Sequence, residues 1–193
     1  MYRTVWLLLA ILPAALARGS GPPTSEYPTI CITMEPGHGS SPASGKAPYA
    51  ISLDSDTYTK GNSIEVSIYA TEPDNYFRGF FIQARRVGLP SLDAVGSFIS
   101  EPTEESQFIK CGTQNSAWGH ANRNKKTKVT ARWIGPSTSF GPLVFNATIV
   151  GLKKEDYWTG VMSSEILYGN ANGVKGQGLL LSTMVLLAYV LHK

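Results

Sequence analysis

Two cysteines, Cys31 and Cys111, carry the most definite chemistry in this chain of 193 residues. In an oxidising compartment an isolated pair of cysteines normally forms a disulfide. Closing a loop of this length would stabilise the folded state by roughly 4–5 kcal/mol in the chain-entropy model, and by less if the bridge were strained. A catalytic free thiol is the alternative, but the second cysteine would then need its own explanation. We therefore predict a disulfide between Cys31 and Cys111.

Histidine chemistry is the next possibility, and it would involve His38 and His120. A zinc or copper site needs three or four ligands with tight local spacing, and the sequence shows no such set. We therefore predict structural or surface roles for both histidines and no metal site. The sequence also has no G-x-S-x-G elbow, phosphate loop, haem-attachment pair or dinucleotide fingerprint. These observations predict no catalytic residue, no cofactor and a protein that is not an enzyme.

A basic run forms the candidate ligand patch, which consists of Arg123, Lys125, Lys126, Lys128 and, on the following strand, Arg132. Cations at this density could contact the phosphates of lipopolysaccharide, acidic glycans or heparin-like chains. The alternative is a solvated loop whose charge is balanced by the acidic run at residues 101–105. Trp118, Trp133 and Trp158 could stack on sugar rings, although the apolar face of its strand predicts Trp133 in the core.

Both ends of the chain are hydrophobic, and both have the features of processing signals. Residues 1–17 combine an early arginine, an apolar run and an A-x-A site, which predicts a secretory signal peptide. Residues 179–193 are short for a bilayer span, which takes about 20 apolar residues. Small residues and a polar spacer precede this tail, which is typical of a GPI-anchor signal with attachment at Asn170. Gly169 and Asn172 are alternative attachment residues, and a short membrane helix is an alternative for the tail.

These signals predict how the chain is organised and where the protein is found. We expect a protein outside the cell, either secreted or held at the membrane by a lipid anchor. The predicted segments are a signal peptide (1–17), an unstructured leader (18–27), one domain (28–165), a linker with the anchor site (166–178) and a removable tail (179–193).

The net charge of +3 changes when the predicted processing is taken into account. Arg3, Lys175 and Lys193 lie in the segments expected to be removed, which leaves 14 basic residues against the 14 acidic ones. A net charge near zero provides no global field that would attract nucleic acid. Together with the extracellular routing, this excludes nucleic acid as an expected partner.

The elements that would position these residues are predicted to be short strands. Residues 64–70 alternate apolar and polar side chains, which indicates a strand with one buried face. Residues 77–84 are dense in aromatic side chains and predict a buried central strand. The strand over 143–150 places the glycosylation acceptor Asn146, in the sequon Asn-Ala-Thr, on the face that points outward. Helical periodicity is nearly absent, so we predict an all-β fold, an antiparallel β-sandwich.

The chain contains one distinctive block and several weaker ones. The most specific block is residues 77–85, which has an arginine before a strand and a glycine where a neighbour must approach closely. The other blocks are Cys31 with residues 34–39, residues 47–51, 95–98, Cys111, Gly119 and His120, 129–133, and 141–150. Taken in order, these blocks resemble the Reeler (reelin-like) domain family, and their order and spacing make the resemblance strong over most of the predicted mature chain.

This resemblance implies an immunoglobulin-like sandwich and a range of uses. Some members are small secreted insect proteins linked to antibacterial defence, and they bind microbial surfaces. The expected function is therefore a binding module that recognises microbial surfaces or acidic glycans in innate defence. An adhesion protein that binds extracellular matrix or another cell is the alternative. An accessory domain related to ferric-chelate reductases is a weaker alternative, because the electron-carrying modules of those proteins are missing from this sequence.

Overall fold

The computed structural model describes residues 20–88, 93–100 and 103–169. The predicted signal peptide, Asn170 and the hydrophobic tail therefore lie outside the described residues. In chain order, the elements are α1 (Ile30–Thr33), β1 (Tyr49–Leu53), β2 (Thr57–Tyr58), β3 (Ser63–Ala70), β4 (Gly79–Arg86), β5 (Ser97–Phe98), β6 (Ser106–Cys111), β7 (Thr113–His120), β8 (Lys128–Ile134), β9 (Leu143–Val150), β10 (Tyr157–Met162) and β11 (Leu167–Tyr168).

The strands form two antiparallel sheets that face each other across one core. One sheet has four strands in the order β1-β3-β8-β5, and the other has five in the order β10-β9-β4-β7-β6. The short strands β2 and β11 form a separate parallel pair. The predicted all-β sandwich is thereby confirmed.

Alternation along the strands produces the core between the sheets. On β8, Val129, Ala131 and Trp133 are buried, and the residues between them are exposed. The same period places alternate residues of β3 and β9 against them, because successive side chains of a strand point to opposite faces. The largest buried side chains of this core are Trp118, Trp133, Tyr58, Phe77, Phe80, Phe98 and Phe145.

A glycine in the family-like block 95–98 allows the closest approach in this core. Gly96 has a φ of +70°, a conformation that residues with a Cβ rarely adopt. A Cβ added there would lie 2.4 Å from Cζ2 of Trp133. The indole is further held by a hydrogen bond of 3.1 Å from Trp133 Nε1 to the carbonyl of Val95. Because glycine has no side chain, the segment before β5 can pack directly against the indole of Trp133.

The central strand β4 is buried on both faces, as predicted. Its inner face meets the core, and its outer face is covered by the N-terminal part of the chain. Residues from α1, β4, β6 and β7 form a second apolar cluster there: Ile30, Met34, Phe81, Ile109, Cys111 and Ala117. The outer face of this sheet therefore does not point into water as simple alternation would suggest.

Two segments outside the predicted domain limits also contact the sheets. Residues 20–27, in the predicted leader, contain turns, and Gln107 Nε2 donates a 2.6 Å hydrogen bond to the carbonyl of Ser20. Beyond residue 165, Ile166 bridges to Leu143 and β11 pairs with β2. Backbone pairing thus continues into the range predicted as linker, because Ile166 is fully buried and anchors it.

Candidate ligand-binding surface

The two cysteines are joined in a disulfide, with 5.4 Å between their Cα atoms. The bridge attaches α1 to the end of β6. The Arg85 guanidinium strengthens this attachment, because Nη2 donates to the carbonyls of Cys31 at 2.8 Å and of Ile32 at 2.9 Å. Burial lowers the pKa of Arg85, and the charge is satisfied in part by Gln83 Oε1 at 2.7 Å. These residues have a structural role in holding the N-terminal segment on the sheet.

Lys126 does not belong to an exposed ligand patch, and the prediction for this residue is wrong. Its side chain is only 2% exposed. The ammonium group donates to the carbonyl of Asn124 at 2.8 Å and to the side-chain and backbone oxygens of Asn122 at 3.0 and 3.1 Å. Burial lowers the pKa of Lys126 from its ordinary value. The residue therefore shapes the loop from within, which a count of charges along the sequence cannot distinguish from solvent exposure.

Arg123 and Lys125, in the same loop, are exposed. An antiparallel bridge between Phe77 and Lys126 brings this loop to the segment before β4, with N–H to O distances of 2.9 Å in both directions. Because Phe77 points into the core, its neighbours Tyr76 and Arg78 lie on the other side of the segment. The bridge thus places an aromatic ring and a third cation beside the loop cations.

The resulting cluster is called here the Tyr76 surface, and it consists of Tyr76, Arg78, Arg123 and Lys125. Lys125 Nζ lies 4.3 Å from the centroid of the Tyr76 ring, and Arg78 Cζ lies 5.9 Å from it. Both distances are in the range of cation–π contacts. Arg78 Nη1 also donates to the carbonyl of Arg123 at 3.4 Å. The sequence analysis missed Tyr76, and it placed Arg78 in the family-like block 77–85 without assigning it to the ligand patch.

Lys128 and Arg132 lie apart from this cluster, on the exposed face of β8. Arg132 is four positions after Lys128 in the strand, which corresponds to roughly 13 Å at about 3.3 Å per residue. Arg132 therefore lies toward the opposite end of the sandwich, where β8 pairs with the start of β3. The five predicted patch residues are thus divided into an exposed loop pair, a buried lysine and two separate strand residues.

The end of the acidic run, at Glu104 and Glu105, adjoins the loop that carries the basic residues. Asn122 Nδ2 donates to the carbonyl of Glu104 at 2.6 Å, and the Ala121 N–H donates to the carbonyl of Glu105 at 2.9 Å. These contacts are on the side of the loop that precedes Arg123. Lys125 and Arg78 instead contact the Tyr76 ring.

The other candidate residues have structural surroundings. Trp118 and Trp133 are fully buried and are not available to stack on sugars, and Trp158 packs edge-on against Tyr49 at 5.4 Å. His120 Nδ1 is 3.1 Å from the carbonyl of Phe80. Burial lowers the pKa of His38, which lies edge-on to Tyr157 at 5.7 Å between ring centroids.

Over residues 20–88, 93–100 and 103–169, no group of three or more histidine, cysteine, aspartate or glutamate side chains could hold a metal ion. Within the same ranges, no helix has the length and apolar character needed to span a membrane.

The glycosylation acceptor Asn146 is half-buried on β9, on the face that points away from the core. It pairs across the sheet with Gln83 on one side and with the exposed Met162 on the other. The sequon threonine, Thr148, donates its hydroxyl to the carbonyl of Met34 at 2.6 Å. Asn146 therefore lies at the margin of the N-terminal segment, less open to solvent than alternation suggested, and its glycosylation stays a prediction.

Comparisons with known proteins agree with this architecture. In solved structures, the chain is similar to the human F-spondin reeler domain, with a TM-score of 0.55 and 24% sequence identity over 67% of this chain and 94% of that one. At this level of identity the likeness concerns the fold.

Sequence relatives extend the comparison. The chain is 36% identical to "Putative defense protein 3" of Antheraea mylitta, over 79% of this chain and 90% of that protein. It is 35% identical to "Putative defense protein" of Bombyx mori, over 78% and 85% of the two chains. It is also 31% identical to "Putative ferric-chelate reductase 1" of Danio rerio, but spans only 24% of that protein. The Reeler domain family model matches residues 29–173. With that match over most of its length, the chain belongs to the Reeler domain family.

Proposed function

We propose that this protein is an extracellular binding module of innate defence, and that it recognises acidic polymers on microbial surfaces through the Tyr76 surface. The observation that carries the proposal is the grouping of Lys125 and Arg78 around one aromatic ring. The names of the insect relatives support the defence role. The match to this chain also extends over nearly the whole length of those relatives. The binding step requires no catalysis, so the proposal is of a non-enzymatic protein.

The chemistry of the cluster suits phosphate, sulfate or carboxylate groups on a sugar polymer. Guanidinium and ammonium groups donate charge-assisted hydrogen bonds to such anions, while the Tyr76 ring offers an apolar face to a sugar ring. Arg78 Nε is buried and has no hydrogen-bond partner among the described residues. Because the chain has almost no net charge after the predicted processing, binding would depend on these local contacts and would weaken with added salt.

The surface is held in place before any ligand arrives. The hydroxyl of Tyr49 donates to the carbonyl of Tyr76 at 3.0 Å. The buried ammonium group of Lys126 donates to the carbonyl of Asn124 in the loop. A loop that is already ordered loses less conformational entropy when it binds. The buried lysine thus contributes to recognition by fixing Lys125 beside Tyr76, without contacting the ligand.

The test is binding of the protein to intact bacteria and fungi in physiological salt, with lipopolysaccharide and heparin as competitors. We expect saturable binding that one competitor blocks, and that Lys125→Glu weakens about tenfold, since a lost charge-assisted contact costs about 1.5 kcal/mol. Lys110→Glu is the matched control, because Lys110 is also exposed but lies near the far end of β6.

The outcomes separate the proposal from its alternative. Equal binding by the Lys125→Glu and Lys110→Glu proteins would remove the Tyr76 surface from the recognition step. No saturable binding to any microbe would contradict the defence proposal. The adhesion alternative would then be tested with host cells and matrix proteins.

We further propose that a GPI anchor attached at Asn170 holds the protein at the cell surface after removal of residues 1–17. The supporting pattern is the apolar tail behind a polar spacer. The disulfide between Cys31 and Cys111 is consistent with folding in an oxidising compartment.

A further inference from the structure

A second polar site lies at the opposite end of the sandwich from the Tyr76 surface. It is an open hollow of about 370 Å³ whose walls come from the turn around β2, the start of β3 and the exposed face of β8. The side chains around it carry hydroxyl, amide, carboxylate and guanidinium groups, and the lining residues include Asp54, Ser55, Thr57, Thr59, Ser63 and Arg132.

Arg132 is held in this hollow by contacts on both sides of its strand. Its N–H donates to Ser100 Oγ and its carbonyl accepts from the Ile99 N–H, while β3 pairs along the other edge. Arg132 Nε donates to Ser63 Oγ at 2.9 Å. Glu65 is its cross-strand partner, yet no salt bridge joins the two side chains. Within the described residues, the two terminal nitrogens of Arg132 make no hydrogen bond or ion pair, so they are free to meet a ligand.

The opposite wall is equally well anchored. Tyr58 is fully buried, donates its hydroxyl to the carbonyl of Gly141 at 2.8 Å and accepts from the Phe140 N–H at 3.0 Å. Thr57 and Thr59 flank this anchor and line the hollow. One carboxylate oxygen of Asp54 accepts from the Glu65 N–H at 2.7 Å. The hollow therefore holds donors and acceptors on rigid elements, which is what orients a polar ligand.

We propose that this hollow binds a sugar residue that carries one carboxylate, such as a uronic acid within a polysaccharide. The free nitrogens of Arg132 suit the planar carboxylate, since the guanidinium donates two parallel hydrogen bonds to such a group. The Ser and Thr hydroxyls and the Asp54 carboxylate suit the ring hydroxyls. The site is separate from the Tyr76 surface and does not depend on the function proposed for it.

The experiment is a titration of the isotope-labelled protein with D-glucuronate, followed by the backbone amide signals and the Nε–H signal of Arg132. D-glucose serves as the uncharged control. We expect saturable shifts at Ser55, Thr57, Ser63 and Arg132 with glucuronate. Arg132→Gln is expected to weaken the binding by about 10- to 100-fold, the range for a lost hydrogen bond to a charged group. Arg132 is exposed, so this substitution leaves the core intact.

Three results would overturn the proposal. The first is the absence of saturable shifts with glucuronate in the unmodified protein. The second is equal binding of glucose, which would exclude a role for the carboxylate. The third is an equal loss of binding with Lys110→Gln, an exposed cation on the other sheet, which would indicate nonspecific charge attraction. A spectrum of the Arg132→Gln protein that keeps its dispersion shows that any loss of binding comes from the site.

Discussion

At the scale of single residues, Lys126 shows how burial changes the role of a charge. A solvated lysine in a basic run contributes to the local field, whereas this one donates to oxygens of Asn122 and Asn124 inside the loop. An ammonium group taken out of water is stable there only because these oxygens replace its hydration. The exposed Lys125, one residue earlier, keeps its charge at the surface. Neighbouring lysines therefore have different roles: Lys126 is part of the architecture, and Lys125 is a cation of the proposed binding surface.

Replacing Lys126 with methionine tests this division. The substitution preserves the length of the side chain but leaves the oxygens of Asn122 and Asn124 without their donor. We expect a loss of about 2 kcal/mol in the free energy of unfolding, measured with urea, since hydrogen bonds to a charged group contribute about 1.5–3 kcal/mol. Lys125→Met is the matched control and should change this free energy by less than about 0.5 kcal/mol. Equal stability of the two variants would contradict the structural role.

The second prediction at this scale concerns pH. Burial lowers the pKa of His38 below its ordinary value of 6.5, and this effect outweighs a hydrogen bond to the backbone of Lys154, which raises it. In the window between the folded and unfolded pKa values, the unfolded chain therefore binds more protons. Stability is greatest above the unfolded pKa and falls as the pH drops through it toward the folded pKa.

Unfolding free energies at about pH 7.5 and about pH 5, which bracket the ordinary histidine pKa, measure this effect. We expect the protein to lose more stability between these values than the His38→Gln variant does, because glutamine does not titrate. An identical pH dependence in the two proteins would show that His38 titrates as it does in the unfolded chain.

At the scale of elements, the N-terminal segment depends on a few tethers. The helix α1 has only four residues, and so short a helix is not stable on its own. The disulfide, the guanidinium of Arg85 and the hydroxyl of Thr148 attach the segment from Cys31 to Met34 to the outer face of the sheet. Their removal would expose the apolar side chains of Phe81 and Ala117, which this segment covers.

Replacing both Cys31 and Cys111 with serine should therefore act most strongly on this segment. We expect a loss of about 2–5 kcal/mol in the free energy of unfolding, the range found for native disulfides of small domains. The substitution should increase the rate of amide hydrogen exchange more at residues 30–34 than in the core strand β8. Uniform exchange, or an unchanged unfolding free energy, would show that Arg85 and the apolar contacts hold the segment without the bridge.

At the scale of the whole molecule, the two ends of the sandwich have different chemistry. The Tyr76 surface groups cations around an aromatic ring, whereas the Arg132 hollow combines one cation with hydroxyls and a carboxylate. Both belong to loops and strand ends that the paired sheets hold in place. A sandwich with two such ends could contact a polysaccharide at two points, and two linked contacts bind more tightly than either does alone.

Attachment of this module to a membrane gives the last prediction. We expect a phosphatidylinositol-specific phospholipase to release the protein from the cells that express it, because the proposed link at Asn170 is a GPI anchor. Release is measured by immunoblot of the medium. Asn170→Gln alone is a weak control, because Gly169 and Asn172 are alternative attachment residues. The control protein therefore has bulky residues in place of all three. Persistence of the unmodified protein on treated cells would exclude the lipid link.

Much of the architecture followed from local pattern. Period-two alternation predicted the inner faces of β3, β8 and β9, because a strand points successive side chains to opposite sides. The aromatic density of residues 77–84 predicted a central strand, and the single pair of cysteines predicted their bridge. These properties depend on residue type and spacing along the chain, and the sequence alone determined them.

Tertiary structure decided which polar residues lie together and which are exposed. Lys126 is buried because its loop folds back on the segment before β4, and the same bridge brings Tyr76 and Arg78 to Lys125. Arg132 is separated from the loop cations by the length of β8 and lies in a hollow with residues some seventy positions earlier. These relations join segments that are distant in sequence. Charge and periodicity describe only neighbours along the chain, so only the packing of the two sheets could determine them.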